Sequence, residues 1–414
     1  MKNFILTLAS LAVAPVVAVA MLARILGFRK ALSQAGVLVV LPHVGFGHTI
    51  TAPDIARRLY RNRRPVALLF SETRYHNPLI DRIWPDVVCI TVPLSLRITD
   101  SLRLPWSEPV KDILRRLVIR AARFLMPASA ESIGVLEMYD LLVPPDISCP
   151  PRGKVPQQSL LWPIGYFRLQ ASVKAPAVKL PDEMVRQARA RFSAKPLCNL
   201  YLRQKDDSSA DLANSRRSGS PLSSYVPAIR HLIASGYQVL LTGDQPLPDS
   251  LYDQFGGMLT DAAHADIPKN LFDVFAATES TICIAEPGGG AWLPGVNEIP
   301  RLLINAFPYF YSLANSWLYY KVAVDADHRP IPYEKLFADH PHDYELKGWT
   351  LLNNSADQIL SAVTSFLEQI RDPQADTVTR ETFAALPDYL WIRHGCAHIL
   401  PVWLKLFEQE RVHS

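Results

Sequence analysis

The sequence predicts an α/β protein of two parallel-sheet lobes facing a cleft, preceded by an N-terminal membrane helix. Three observations carry that expectation. Short apolar runs alternate with amphipathic stretches along most of the chain, the pattern of strands joined by helices. A proline-rich passage (Pro144, Pro145, Pro150, Pro151, Pro156, Pro163) divides the alternation in two. Phe4–Ala23 runs for twenty residues without a charge. The 414 residues carry 43 Lys and Arg against 39 Asp and Glu, and 49% are apolar. That balance excludes a disordered tail, a collagen-like chain and a disulfide miniprotein. Cys89, Cys149, Cys198, Cys283 and Cys396 are far apart with no CxxC pair, so buried free thiols are expected and no zinc site.

At 1.5 Å per residue the apolar segment would be roughly 30 Å long as a helix, about one hydrocarbon core. Ala18-Val19-Ala20 would suit a signal cleavage site, but a retained single-pass anchor is the expectation. Arg24, Arg29 and Lys30 follow the span and only Lys2 precedes it, which places the body on the cytoplasmic side of an inner membrane. Residues 1–130 hold 18 Lys and Arg against 7 Asp and Glu, leaving −7 for the remainder. A basic N-terminal part invites an anionic partner. Without a DNA-binding module or an aromatic-interleaved basic motif, an anionic membrane surface fits better than nucleic acid. Residues 108–126, EPVKDILRRLVIRAARFLM, set Ile113, Leu117 and Phe124 among Arg115, Arg116, Arg120 and Arg123. Such a basic amphipathic helix can lie on anionic lipid or pack on its own domain.

In the first half, Gly36–Leu41, Val66–Phe70 and Val87–Val92 read as strands, with a helix over residues 52–63. In the second, Leu197–Leu202, Tyr237–Leu241, Thr281–Ala285 and Arg301–Asn305 read as strands, with helices over Leu222–Ala234 and Leu271–Ala277. The expected division is an anchor over residues 1–30, a first lobe over 31–165, a connector over 166–195, a second lobe over 196–372 and a helical tail over 373–414. The aromatic run Phe307–Tyr320 reads as core.

Three loops could carry chemistry. Gly45-Phe46-Gly47-His48 follows the first strand; its glycines allow close backbone approach, and His48 stands at the helix mouth as a candidate general base. His43 is a weaker candidate. Arg203 leaves the strand Leu197–Leu202, where ligands of open α/β sheets collect, and offers a planar fork to a phosphate. Lys205, Arg216 and Arg217 follow, and Gly243-Asp244 ends the next strand on the same edge. Glu286-Pro287-Gly288-Gly289-Gly290 joins a strand to a helix. Successive glycine N–H groups there form an anion cradle, and Glu286 could accept from a ribose hydroxyl pair. His394 and His398 are spaced HxxxH without the zincin glutamate, and no GxSxG elbow exists.

Together these features resemble the GT-B class of glycosyltransferases, with two Rossmann-like lobes. The second half is similar to a bacterial family of largely uncharacterised predicted glycosyltransferases. The carrying text is YLRQKDD (201–207), SSYVPAIRHLIASGYQVLLTGD (223–244), FDVFAATESTICIAEPGGGAWLPGVNEIPRLLIN (272–305) and LLNNSADQILSAV (351–363). GFGHT (45–49) is similar to the Gly-His loop of lipid-linked sugar transferases. The resemblance implies a nucleotide-sugar donor in the second lobe, with Arg203, Gly288 and Gly289 on its diphosphate and Glu286, Gly243 and Asp244 on the nucleotide side. It implies a saccharide or lipid-linked acceptor by the first lobe, where Gly45 and Gly47 line the loop and His48 is the base or an acceptor-positioning residue. No metal or cofactor is expected. Gln204 stands where the family tends to carry an aspartate, and Arg216-Arg217 where it favours Arg-Asn. Two other readings share the fold: a nucleotide-sugar epimerase, which needs a carboxylate pair and no acceptor groove, and a membrane-anchored binding protein without turnover.

Overall fold

A computed structural model describes residues 2–44, 47–71, 77–93, 108–145, 157–203, 219–307, 316–332, 335–336, 348–372, 398–400 and 402–403. The chain folds as two compact units, Met1–Leu141 with Val173–Lys179, and Leu142–Ser172 with Leu180–Ser414.

The first unit contains α1 (Lys2–Gly27), α2 (Arg29–Leu32), β1 (Val37–Val44), α3 (His48–Leu59), β2 (Pro65–Ser71), β3 (Val88–Pro93), α4 (Glu108–Phe124), β4 (Glu131–Gly134) and α5 (Val135–Asp140). Its four strands are parallel in the order β3-β2-β1-β4, with Leu38 opposite Val66 and Leu68 opposite Ile90. The apolar strand runs fit a parallel sheet buried on both faces. Helix α3 begins four residues earlier than the sequence pattern suggests, because the turn ends at Gly47, whose carbonyl accepts the Thr51 N–H at 2.9 Å.

The expected membrane anchor takes another form in its second half. Within α1, Val17, Met21 and Ile25 are buried in one cluster with Val110, Leu114, Val118 and Ala122 of α4 and with Leu38, Phe70 and Ile90 of the sheet. A stripe at i, i+4 and i+8 that enters a protein core belongs to a helix packed on its own domain. The charge-free run is equally apolar all round, so the sequence gives no sign of this stripe. Among the described residues no helix is long and apolar enough to cross a membrane.

A buried ion cluster fastens the returning segment 173–179. Asp54 pairs with Arg57 at 2.7 Å and Arg58 at 3.0 Å, and all three side chains are inaccessible or nearly so. Arg57 also donates to the Pro176 carbonyl at 2.7 Å, and Arg58 to the Val173 carbonyl. Removing one member of such a cluster strands buried charge. Asp54→Ala is expected to cost about 3 kcal/mol, read by urea unfolding; a loss below about 1 kcal/mol would show that the guanidinium–carbonyl bonds suffice.

The second unit contains α6 (Gln157–Ser172), α7 (Asp182–Arg189), β5 (Leu197–Leu202), α8 (Leu222–Ala234), β6 (Gln238–Gly243), α9 (Asp249–Phe255), β7 (Leu259–Thr260) and α10 (Lys269–Glu279). There follow β8 (Ile282–Ala285), α11 (Trp292–Val296), β9 (Arg301–Ala306), β10 (Ser316–Tyr320), β11 (Val322–Val324), β12 (Thr350–Leu352), α12 (Ala356–Arg371) and β13 (His398–Ile399). The main sheet is parallel, ordered β13-β10-β9-β8-β5-β6-β7. From β5 through β10 this is the doubly wound Rossmann order, reversing between β5 and β8. Helix α8 ends where Gly236 turns left-handed (φ 97°), with its N–H on the Ile233 carbonyl at 3.0 Å. Ser355 and Gln358 form a capping box that starts α12.

Helix α6, placed by sequence in the first lobe and connector, groups with the second unit. Tyr166 and Phe167 pack on Trp292, with centroids 6.2 and 6.4 Å apart. A Cβ on Gly165 would stand 1.6 Å from the Leu142 carbonyl oxygen. The excursion between Lys321 and Asn353 is drawn together at its base. Strands β11 and β12 pair antiparallel there, and Lys321 donates to Asn353 at 2.7 Å. The aromatic run reaches the core through β10, where Tyr319 and Tyr320 are buried; Phe310 and Tyr311 lie outside the described residues. Cys89, Cys198 and Cys283 are buried free thiols, while Cys149 and Cys396 lie outside.

Candidate functional site

Where a doubly wound sheet reverses direction, the loops leaving two adjacent strands part and open a crevice at their carboxyl ends. In the second unit those loops begin at Arg203, after β5, and at Glu286, after β8. Glu286 does not face a ligand. It is buried, and its Oε1 accepts from the Ser220 N–H at 2.6 Å, the Tyr225 hydroxyl at 3.0 Å and Asn305 Nδ2 at 3.2 Å. Its Oε2 accepts from the Arg203 main-chain N–H at 3.2 Å. Burial pushes its pKa up, against the lowering effect of these four donors. The expected contact with a ribose is therefore corrected: Glu286 is a buried clasp that fixes where Arg203 leaves the sheet.

The clasp extends across the sheet edge. Asn305, the penultimate residue of β9, lies in the left-handed region (φ 54°) and exchanges bonds with Asn354, 2.8 Å to its side chain and 2.6 Å from its N–H. Asn354 Nδ2 donates to the Tyr320 carbonyl at 3.0 Å, and Ser220 donates to the Asn354 carbonyl at 3.0 Å. A Cβ on Gly219 would fall 1.7 Å from Glu286 Oε2. Ser220, Tyr225, Asn305 and Asn354 were not singled out from sequence. Of these only Asn354 carries a sequence signal, the NN pair of LLNNSADQ, polar text directly after a strand.

Above this clasp lies the glycine loop. A Cβ on Gly288 would stand 2.8 Å from Arg203 Cδ and 2.9 Å from the Tyr201 hydroxyl, and one on Gly290 would stand 2.4 Å from the Tyr201 ring. The N–H groups of Gly288 and Gly289 have no acceptor among the described residues. Because α11 has only five residues, the loop N–H groups rather than a helix dipole supply the attraction for an anion.

Gly243 has φ 98°, and a Cβ there would lie 1.9 Å from the Leu202 carbonyl. Beside it a cleft of about 470 Å³ is lined by Gly243, Asp244, Gln245, Asp261 and Lys269. Lys269 donates to the Gly243 carbonyl at 2.8 Å and pairs with Asp273 at 3.0 Å. Gln245 ties the cleft to the clasp, donating to the Arg203 carbonyl at 2.9 Å and accepting from the Leu222 N–H at 2.8 Å. His264 holds Asp261 at 2.8 Å, a bond that raises the histidine pKa. Gln204, Lys205, Asp206, Asp207, Arg216 and Arg217 lie outside the described residues.

In the first unit the reversal falls between β1 and β4. His48 opens α3 after β1 and is exposed; Tyr139 sits on α5 after β4 and is buried. The His48 Nδ1 and the Tyr139 hydroxyl share a hydrogen bond at 2.9 Å. Tyr139, not anticipated from sequence, thus fixes the imidazole orientation. Gly47 precedes the helix, Gly45 lies outside the described residues, and so does the His43 side chain. His398 opens β13, so the HxxxH pair does not share a helix face there; His394 lies outside the described residues.

Each of the two units is built on a wound parallel sheet. The chain is similar to the glycosyl transferase family 9 structure from Veillonella parvula DSM 2008, at 12% identity over 81% of this chain and 98% of that one (TM-score 0.45). It is similar to the E. coli ADP-heptose LPS heptosyltransferase II, at 12% identity over 81% and 99% (TM-score 0.47). It is also similar to the iron-containing heptosyltransferase TibC in complex with ADP-D-beta-D-heptose, at 12% identity over 82% and 77% (TM-score 0.39). No family model and no curated protein matches the sequence. Among the described residues no three His, Cys, Asp or Glu side chains converge as a metal site.

Proposed function

We propose that the chain is a glycosyltransferase moving a sugar from a nucleotide-sugar donor to a hydroxyl of an envelope or lipid-linked saccharide. One observation carries the reading. The switch point of the second unit brings Arg203 beside the glycine loop, next to a cleft ending at Gly243 and Asp244. The Arg203 guanidinium and the N–H groups of Gly288 and Gly289 bind the diphosphate and stabilise it as it leaves, which requires no metal ion. Gly243 and Asp244 border the nucleoside. In a single displacement the acceptor oxygen bonds to the anomeric carbon as the bond to the diphosphate breaks, and His48 takes the hydroxyl proton. Tyr139 is a positioning residue for that base. The acceptor class and the basic first unit support a place at the cytoplasmic face of the inner membrane.

Thermal stabilisation by a panel of nucleoside diphosphates and nucleotide sugars tests the donor site. Ligand at a hundred times its dissociation constant adds about 2.7 kcal/mol. One nucleotide family should stabilise the chain, and its diphosphate should be released only when an acceptor is supplied. Release without acceptor would indicate an epimerase or hydrolase; no shift with any nucleotide would remove the reading.

A further inference from the structure

Exposed apolar side chains are not scattered over the described residues. Six of the nine large ones lie on two helices of the first unit: Val16, Val19 and Leu26 on α1, and Ile113, Leu117 and Phe124 on α4. Both helices bury their opposite stripes against the same alternate residues of β1, β2 and β3, and they pack on each other. They therefore form one outer layer, and these side chains share its outward face. Phe124 is 89% exposed, an unusual position for an aromatic ring in water.

The same face is basic. Arg116, Arg120 and Arg123 are exposed beside Ile113, Leu117 and Phe124 at helical spacing, and none forms an ion pair among the described residues. Arg29 and Lys30 of α2 are exposed just after α1. Apolar side chains flanked by cations complement one surface chemistry, the headgroup and acyl boundary of an anionic lipid leaflet.

We propose that the α1–α4 layer lies in the plane of an anionic membrane, with Leu117 and Phe124 in the acyl boundary and Arg116, Arg120 and Arg123 on lipid phosphates. The inference rests on the membrane placement in the functional reading, but names the surface and makes contact independent of a span. It is tested with the full chain, by sedimentation with phosphatidylcholine vesicles with and without phosphatidylglycerol. Two variants are compared, Leu117→Glu with Phe124→Glu, and Arg116→Gln with Arg120→Gln and Arg123→Gln. At about tenfold or less per arginine, the triple variant should lose about a hundredfold in partitioning to anionic vesicles, and the parent should bind neutral vesicles weakly. Unchanged melting temperature and nucleotide response would assign the loss to the face itself. Binding of both variants at parental strength, or equal binding to neutral vesicles, would overturn the proposal, as would a loss of self-association in place of vesicle binding. A parent that binds vesicles but no nucleotide would retain the docking face and remove the transferase reading.

Discussion

Glu286→Ala is expected to lower the stability of the chain by about 4 kcal/mol, measured by urea unfolding. The substitution strands the N–H groups of Ser220 and Arg203, the Tyr225 hydroxyl and one Asn305 amide proton, each bonded to the carboxylate at 2.6–3.2 Å. Stranded buried donors cost about 1–3 kcal/mol each, and relaxation recovers part of that. The pH dependence has a defined sign. Burial raises the carboxyl above its ordinary 4.5, so the folded chain binds this proton more tightly than the unfolded chain. The contribution of Glu286 therefore declines as pH rises from the ordinary carboxylate range through the shifted value. Glu286→Gln should flatten that slope; an unchanged slope would mean that other groups set it.

Arg203→Ala should weaken nucleoside diphosphate binding about a hundredfold, read by titration calorimetry, since two charge-assisted bonds are lost. The melting temperature of the free chain should hardly change, because the main-chain N–H of residue 203 still donates to Glu286. Arg203→Lys keeps the charge without the planar fork and should recover only part of the affinity. Parental affinity in Arg203→Ala would move the diphosphate away from the switch point.

The central strands were legible because parallel strands covered on both faces are continuous apolar runs. Leu197–Leu202 matches β5 at both ends, and Leu222–Ala234 matches α8 between its flanking Pro221 and Gly236. Strand β4 was not: its four residues, Glu131–Gly134, are partly to fully exposed and hold one aliphatic residue, so no periodicity marks them. Tyr139 was missed with it, since only β4 beside β1 brings α5 to His48. Arg203, Gly243, Gly288 and Gly289 stand out in the sequence because strand ends and glycines are local signals. The role of Glu286 is not legible there, because ribose recognition and a buried clasp both call for a carboxylate, and only its four donors, 19 to 83 residues away, distinguish them. The N-terminal helix went astray for a related reason: lipid and protein cores ask for the same side chains.

The base of the Lys321–Asn353 excursion has an engineering meaning. The chain departs and returns through points joined by the Asn354–Tyr320 and Lys321–Asn353 bonds and by the β11–β12 pairing. Length added beyond that neck is mechanically insulated from the sheet edge, as an appendage on a closed ring. The turn Asp325–Arg329 has exposed residues at 326–329 and is held by its own hydrogen bonds. It is thus a port where a reporter or tether can be grafted while the sheet edge keeps its shape.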